Sequence, residues 1–351
     1  MEKDVILLWY LMLKIDAKTK VGLMLKYKSE ESIYNNLDRI VQNKSISPAI
    51  IKKMKEFNLY DAKEFGKWLD NNKIGFITYG RTNYPERFYS LEIPPYAIYY
   101  KGNINLLYEE NSISIVGSRR PTIYGANMCS RISSFIAKND RVVVSGLAQG
   151  IDSVAHKAAL DVDGKSIGVL GCGIDVVYPA GNRQLYERMS EFGLIVTEFQ
   201  PHSKPLKFHF PMRNRLISAI GEKLVVVEAS KKSGSLITAD YTLSLGKDII
   251  AVPGRVGEVN SEGCNKLIRD GAASITEMED LELFLGINKK KEAKSTTKND
   301  LLKIIDREPL HLDDIIESIN VDRKTLFRLL FEMQNTKEII CLPGNFYAKL
   351  T

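Results

Sequence analysis

The sequence predicts an α/β protein built on a doubly wound parallel sheet, with a small helical domain before it and a winged-helix-like domain after it. Three observations carry this. From residue 112 one unit recurs: a short apolar strand, a glycine-bearing turn and a helical stretch. Strands that are apolar throughout are buried on both faces, and strands separated by helices run parallel with right-handed crossovers. The first seventy or so residues instead space their apolar positions at helical period, and the last fifty read as three helices and a hairpin.

In the opening segment Leu7, Leu8, Leu11 and Met12, then Ile33, Leu37 and Ile40, mark helical faces separated by polar breaks. Near Ile74 the pattern changes to the β-prone pieces GFITYG and AIYYKGN, divided by Tyr84-Pro85 and Pro94-Pro95, so a helical domain is expected over 1–72. The expected parallel strands begin at Ser112, Arg141, Ser166, Leu194, Leu224 and Asp248, giving a Rossmann-like core over 73–285. Residues 286–298 are polar, lysine-rich and aperiodic, the composition of a linker. Beyond them, helices around DLLKIIDRE, around LDDIIESI and from Asp322 to Gln334 precede a hairpin turning at Pro343-Gly344-Asn345, which is the winged-helix order for 299–351.

The 351 residues are 44% hydrophobic and 26% charged, a globular composition that excludes disorder as the main state. No apolar run reaches the roughly 20 residues that cross a bilayer, and Glu2, Lys3 and Asp4 open the chain with no cleavage site following, so a cytoplasmic protein is expected. Cys129, Cys172, Cys264 and Cys341 stand far apart, which disfavours a structural metal or a disulfide framework. The net charge of +6 is spread thinly, yet residues 111–139 and 199–221 contain no acid at all. The first stretch carries Arg119, Arg120, Arg131 and Lys138, and the second Lys204, Lys207, Arg213 and Arg215, so any anion site is local and lies there.

Both stretches hold motifs at strand ends, where ligands of such sheets bind. Gly117-Ser118-Arg119-Arg120 combines a glycine turn, main-chain N–H groups and two guanidinium groups, the chemistry of a phosphate cradle. Ser145 to Asp152 sets Gly146 and Gly150 four apart in a tight turn leading into a helix. Lys207-Phe208-His209-Phe210-Pro211-Met212-Arg213-Asn214-Arg215 interleaves cations with aromatic rings, as a single-stranded nucleic acid requires: charge for the backbone, a ring face for a base. Glu228 to Ala239 brings hydroxyls and two lysines to another strand end, a second anion cradle, with Ser235 or Thr238 as a helix N-cap the competing and compatible explanation.

Other chemistries fit less well. In Gly171-Cys172-Gly173 the third glycine of a dinucleotide fingerprint falls at Val176, which argues against a nicotinamide cofactor. Asp163-Gly164-Lys165-Ser166 lacks the first glycine of a phosphate-binding loop, having Ala159 there, and precedes its strand. Asp152 and His156 are spaced as two metal ligands but have no further partner, and no nucleophile and base pair emerges, so neither cofactor, metal nor catalysis is expected.

The motifs TNYPERFYSLEIPPYAIYYKGN, IVGSRRPT, SGLAQGID, GCGIDVVYP, FPMRNRLIS, EASKKSGSLITA and AVPGRVGEVNSEGCNKLIRDGA occur in this order over residues 70 to 285. Together they resemble the DNA-processing protein A family (DprA, also called Smf). The resemblance implies a cytoplasmic protein that binds and protects single-stranded DNA, forms a homodimer through its Rossmann-like domain and loads the RecA recombinase in natural transformation. It carries Ser118, Arg119, Arg120, Lys207, Phe210, Arg213 and Arg215 over as DNA contacts, with Gly146, Gly150 and Ser235 shaping phosphate pockets. Family members often carry helix-hairpin-helix-like elements at the N-terminus, of which Leu13 to Tyr27 keeps only Gly22. The alternative is an enzyme of the nucleotide-monophosphate phosphoribohydrolase type on a related fold, but the glutamate that should follow its glycine loop is missing after Ser233 to Thr238. A regulator acting through the winged helix is a third reading, opposed by Asp314, Glu317 and Glu332 on its helices.

Overall fold

The computed structural model describes residues 2–42, 47–287, 298–305, 308–319 and 323–350. The expected linker lies almost wholly outside these, as does Asp322 at the expected start of the last helix.

The N-terminal segment folds as α1 (Glu2–Met12), α2 (Ala17–Tyr27), α3 (Glu30–Asn35), α4 (Leu37–Gln42), α5 (Pro48–Met54) and α6 (Leu59–Asn71). Local chemistry sets several starts: Asp16 accepts the Thr19 N–H ahead of α2, and Asn58 and Asp61 form a reciprocal capping box on α6. The sheet that follows contains β1 (Gly75–Thr78), β2 (Ala97–Gly102), β3 (Ser112–Val116), β4 (Val142–Ser145), β5 (Ser166–Val169), β6 (Leu194–Thr197), β7 (Lys223–Val226), β8 (Ile249–Ala251) and β9 (Ala273–Ser274). Its helices are α7 (Ile123–Lys138), α8 (Ile151–Leu160), α9 (Arg183–Phe192), α10 (His209–Ile220), α11 (Gly234–Ser244), α12 (Glu262–Arg269) and α13 (Met278–Leu285).

The strand order is β1-β2-β6-β5-β4-β3-β7-β8-β9. From β6 across to β9 in this order all neighbours are parallel, while β1 pairs β2 and β2 pairs β6 antiparallel. The strands expected from apolar runs are present, and their interiors are fully buried. The chain builds outward from β3 through β4 and β5 to β6, then returns to place β7 on the other side of β3. That reversal opens a crevice beyond the carboxyl ends of β3 and β7.

One sheet face, with Val116, Val142, Val144, Val196 and Val226, packs against Leu216, Ile217 and Ile220 of α10. A second cluster joins Ile195 and Leu170 to Leu185 and Met189 of α9, and continues into Trp9, Leu11, Leu13, Ile33 and Leu69 of the N-terminal helices. The Gln200 amide donates to the carbonyls of Leu11 and Leu13 at 2.5 and 2.8 Å, and Tyr96 donates to Glu30 at 2.8 Å. Residues up to Gly286 therefore form one compact unit. The change of pattern near residue 72 marks a change of secondary structure within a shared core.

Residues from Ile287 onward form a second unit. It contains α14 (Lys298–Ile304), β10 (Leu310–His311), α15 (Leu312–Ser318), α16 (Arg323–Asn335), β11 (Ile339–Leu342) and β12 (Phe346–Lys349). Three helices and a hairpin occur in the expected order, with β10 added as a third strand beside β12. Leu301, Ile315, Leu326, Leu330, Met333 and Tyr347 fill its core.

Candidate functional site

The crevice at the β3–β7 reversal is a cleft of about 560 Å³. Its walls come from the turn after β3, the loop leading into α10, and the β7–α11 turn. Ser118, Arg119, Arg120, Lys207, Phe210, Arg213 and Ser235 all line it.

The turn after β3 is braced from several sides. Ser118 Oγ accepts the Arg120 N–H at 3.1 Å, and the Ser118 carbonyl accepts the Ile151 N–H at 3.1 Å. Thr122 caps α7 through the Gly125 N–H, while the buried Glu228 carboxylate accepts both its N–H and its hydroxyl. Arg119 and Arg120 are left exposed on a fixed turn. Gly150 makes this packing feasible: its φ is +87°, and a Cβ there would lie 2.3 Å from the Ser118 carbonyl oxygen.

The loop entering α10 supplies Lys207, which is exposed, and the first turn of α10 supplies Phe210, which is half-buried. The Arg119 guanidinium lies 5.1 Å from the Phe210 ring centre, a cation–π contact, and the Tyr178 ring centre is 5.6 Å away on Phe210. On the opposite wall Ser233 caps α11 by accepting the Ser235 N–H at 3.3 Å. With Ser233, Gly234 and Ser235 on the lining, the positive end of the helix dipole faces the cleft. The cap is thus Ser233, and Ser235, expected as a possible cap, is instead the second residue of α11 and lines the cleft.

Arg213 and Arg215 differ from their expected role as surface phosphate contacts. Arg213 is only 3% exposed and forms the floor of the cleft. Its Nη1 donates to the carbonyls of Gly146, at 2.6 Å, and Val169, so it ties the turns after β4 and β5 together. Burial pulls its pKa down to about 10, against the opposing pull of Asp152. Burial likewise raises the pKa of Asp152, opposed chiefly by Arg213. Gly146 is needed beside this guanidinium, since a Cβ would lie 2.4 Å from Nη1. Arg215 is not on the cleft: it donates to the Ile93 carbonyl at 2.7 Å and pairs with the buried Glu198. The physical reason is the same for both. A buried guanidinium must find partners within the protein, and here main-chain carbonyls and a buried acid supply them, with Arg213 Nε left unpaired.

Ser230, one of the hydroxyls of the Glu228 to Ala239 motif, also lines the cleft, as does Asn260, which sequence reasoning did not single out. Asn260 comes from the loop after β8 and donates to the Arg120 carbonyl at 3.1 Å. A lone asparagine over a hundred residues from its partner leaves no local signal. His156 is fully buried; its Nε2 accepts the Leu147 N–H at 3.3 Å and its Nδ1 faces Ser166 Oγ at 2.8 Å. Burial pushes its pKa down to about 3, so it stays neutral and holds the β4 turn. Among the described residues no group of three or more His, Cys, Asp or Glu could hold a metal ion.

Comparison with known proteins covers the same region. Residues 75–286 match the family model described as DNA recombination-mediator protein A. The chain is 40% identical over 208 residues to DNA processing protein DprA of Bacillus subtilis, covering 59% of this chain and 70% of that protein. It is 40% identical over 198 residues to DprA of Streptococcus pneumoniae, covering 56% and 70%. The X-ray structure of the S. pneumoniae protein superposes with a TM-score of 0.61 at 30% identity, over 80% of this chain and 97% of that one. A Helicobacter pylori DprA structure, described as showing its single-stranded DNA binding mode, gives a TM-score of 0.56 at 31% identity, over 61% and 95%. The matched span is the span that builds the sheet and its cleft, and the chain belongs to the DNA recombination-mediator protein A (DprA/Smf) family of DNA-processing proteins.

Proposed function

We propose that the chain binds single-stranded DNA in the β3–β7 cleft and acts in recombination as a carrier of that strand, without catalysing a reaction on it. The single observation that carries this reading is the Arg119–Phe210 pair on the cleft wall, with Lys207 on the same lining. A ring face beside cations suits a strand whose bases are unpaired, because the backbone needs charge and the base needs a surface to stack on. The α11 N-terminus and Ser235 offer further anion contacts, with Gly146 and Gly150 shaping the turns beneath. Arg213 contributes charge from below the surface, and Arg215 acts on stability alone. The H. pylori relative, described by its single-stranded DNA binding mode, supports the same ligand class.

The family resemblance extends the proposal to a cytoplasmic homodimer that protects incoming DNA and loads RecA in natural transformation, with a winged helix at the C-terminus. Among the described residues no helix is long and apolar enough to cross a membrane, which agrees with that setting. A phosphoribohydrolase-like enzyme is the less favoured reading, because its glutamate is absent from the Ser233 to Thr238 loop. The test is competition: labelled oligo-dT bound to the full chain should be displaced by unlabelled single strand and far less by duplex of the same length. Equal displacement by duplex would remove the stacking argument. Acceleration of RecA filament assembly by the chain tests the partner.

A further inference from the structure

A second cleft, of about 700 Å³, lies beside the first and is lined by Thr122, Ile123, Tyr124, Pro253, Arg255 and Glu258. The two clefts share a wall. Residues 117–120 line the first and 122–124 the second; Asn260 lines the first, and Arg255 and Glu258 the second. The 3.1 Å bond from Asn260 to the Arg120 carbonyl joins the two loops into one ridge. Arg120 and Tyr124 are four residues apart, so at most roughly 14 Å of chain separates the exposed cation of one cleft from the exposed ring of the other.

The side chains on the far side of the ridge have little structural work to do. Tyr124 is 50% exposed, and its hydroxyl donates to the Pro253 carbonyl at 3.1 Å, which holds the ring in one orientation. Ile123 is 83% exposed and Val256, next to Arg255, is 99% exposed. The exposed Arg255 guanidinium makes only a loose ion pair with Glu258 at 3.9 Å, beyond hydrogen-bond distance, which a phosphate could replace. A ring held open to solvent loses little freedom on stacking, and a cation beside it matches a phosphate.

We propose that this second cleft receives the next nucleotides of the same single strand, one base stacking on Tyr124 and a phosphate pairing with Arg255. The inference rests on the single-stranded DNA reading of the first cleft. The strand is favoured over a protein segment as the occupant because the clefts are contiguous across the ridge. The cations Arg120 and Arg255, placed on its two sides, are also complementary to one polyanion.

The test uses the full chain with two oligo-dT lengths, about 6 nucleotides to fill the first cleft and about 20 to reach across the ridge. Tyr124→Ala should weaken the longer oligonucleotide about fivefold or more and leave the shorter one unchanged. Tyr124→Phe, which keeps the ring but loses the bond to the Pro253 carbonyl, should weaken the longer oligonucleotide less than Tyr124→Ala does. Arg255→Ala alters an exposed side chain and guards against misfolding of the tyrosine variant; it should lower the salt dependence for the longer strand only. The inference is overturned if Tyr124→Ala and Arg255→Ala bind both lengths as wild type does, or if either weakens both lengths equally. Arg119→Ala separates the two readings. If it weakens both lengths while the second-cleft variants do nothing, the first cleft stands and the second falls; if it too is silent, the underlying reading falls.

Discussion

The Arg119 guanidinium stands 5.1 Å from the centre of the Phe210 ring, joining the turn after β3 to the start of α10 across the mouth of the cleft. Neither residue could perform this role alone. The ring holds an otherwise free arginine in place on the cleft wall, where the proposed strand would present a phosphate.

Replacing Phe210 with alanine should therefore cost about 1 to 3 kcal/mol of single-strand affinity, through lost stacking. Because the ring is half-buried and touches Tyr178 and Gly171, some thermal stability should go with it. Equilibrium titration of the folded variant distinguishes the two effects: normal affinity with a lowered melting temperature would make Phe210 a packing residue only.

For Arg213 the expected loss is stability. Arg213→Met strips donors from the Gly146 and Val169 carbonyls and leaves Asp152 buried without its main counter-charge, which should destabilise the fold by about 3 to 5 kcal/mol in urea unfolding. Adding Asp152→Asn to that variant should recover part of the loss, since the two residues are coupled. Additive losses would show that they act independently.

These two arginines also show where the sequence is informative and where it is silent. The six strands from Ser112 onward were legible because burial on both faces leaves an unbroken apolar run, and the cleft followed from glycines and cations at their ends. Charge composition, by contrast, cannot tell a solvated arginine from a buried one. The partners that draw Arg213 and Arg215 inward are the carbonyls of Gly146, Val169 and Ile93 and the acid Glu198, all of them outside the α10 segment and most of them far from it in sequence. The shared core of the N-terminal helices was hidden for the same reason, since Leu13 and Gln200 meet only in three dimensions. The two-residue strand β9 is too short to produce a pattern.

Lys20 makes that shared core sensitive to pH. Its ammonium is buried, donates to the Leu11 carbonyl at 3.0 Å and lies 5.4 Å from the Tyr96 ring centre; burial pulls its pKa down to about 7. Above the unfolded pKa, near 10.4, the residue is neutral in both states. As pH falls from there toward about 7 the unfolded chain takes up the proton first, so the stability contribution is progressively lost, and below about 7 no further change follows. Unfolding free energy should rise between pH 7 and 9 more steeply in wild type than in Lys20→Met, by up to about 1.4 kcal/mol per pH unit. Parallel pH profiles would mean that Lys20 keeps an ordinary pKa.

Deleting residues 287–351 should leave single-strand affinity within about threefold, a loss below roughly 0.7 kcal/mol. The cleft lies wholly within the unit that ends at Gly286, and the C-terminal segment is nearly balanced in charge. A tenfold loss in a truncated protein of unchanged fold and oligomeric state would assign DNA contacts to the C-terminal unit.

The most direct test of the cleft is the salt dependence of oligo-dT binding by the full chain, compared with the double variant Arg119→Ala/Lys207→Ala. Both side chains are exposed, so the variant should fold normally. If each neutralises one phosphate, the slope of log K against log salt should become shallower by about 0.7 per lost contact, about 1.4 in all, with weaker binding at low salt. An unchanged slope and affinity in the folded variant would contradict the account and place the DNA elsewhere on the protein.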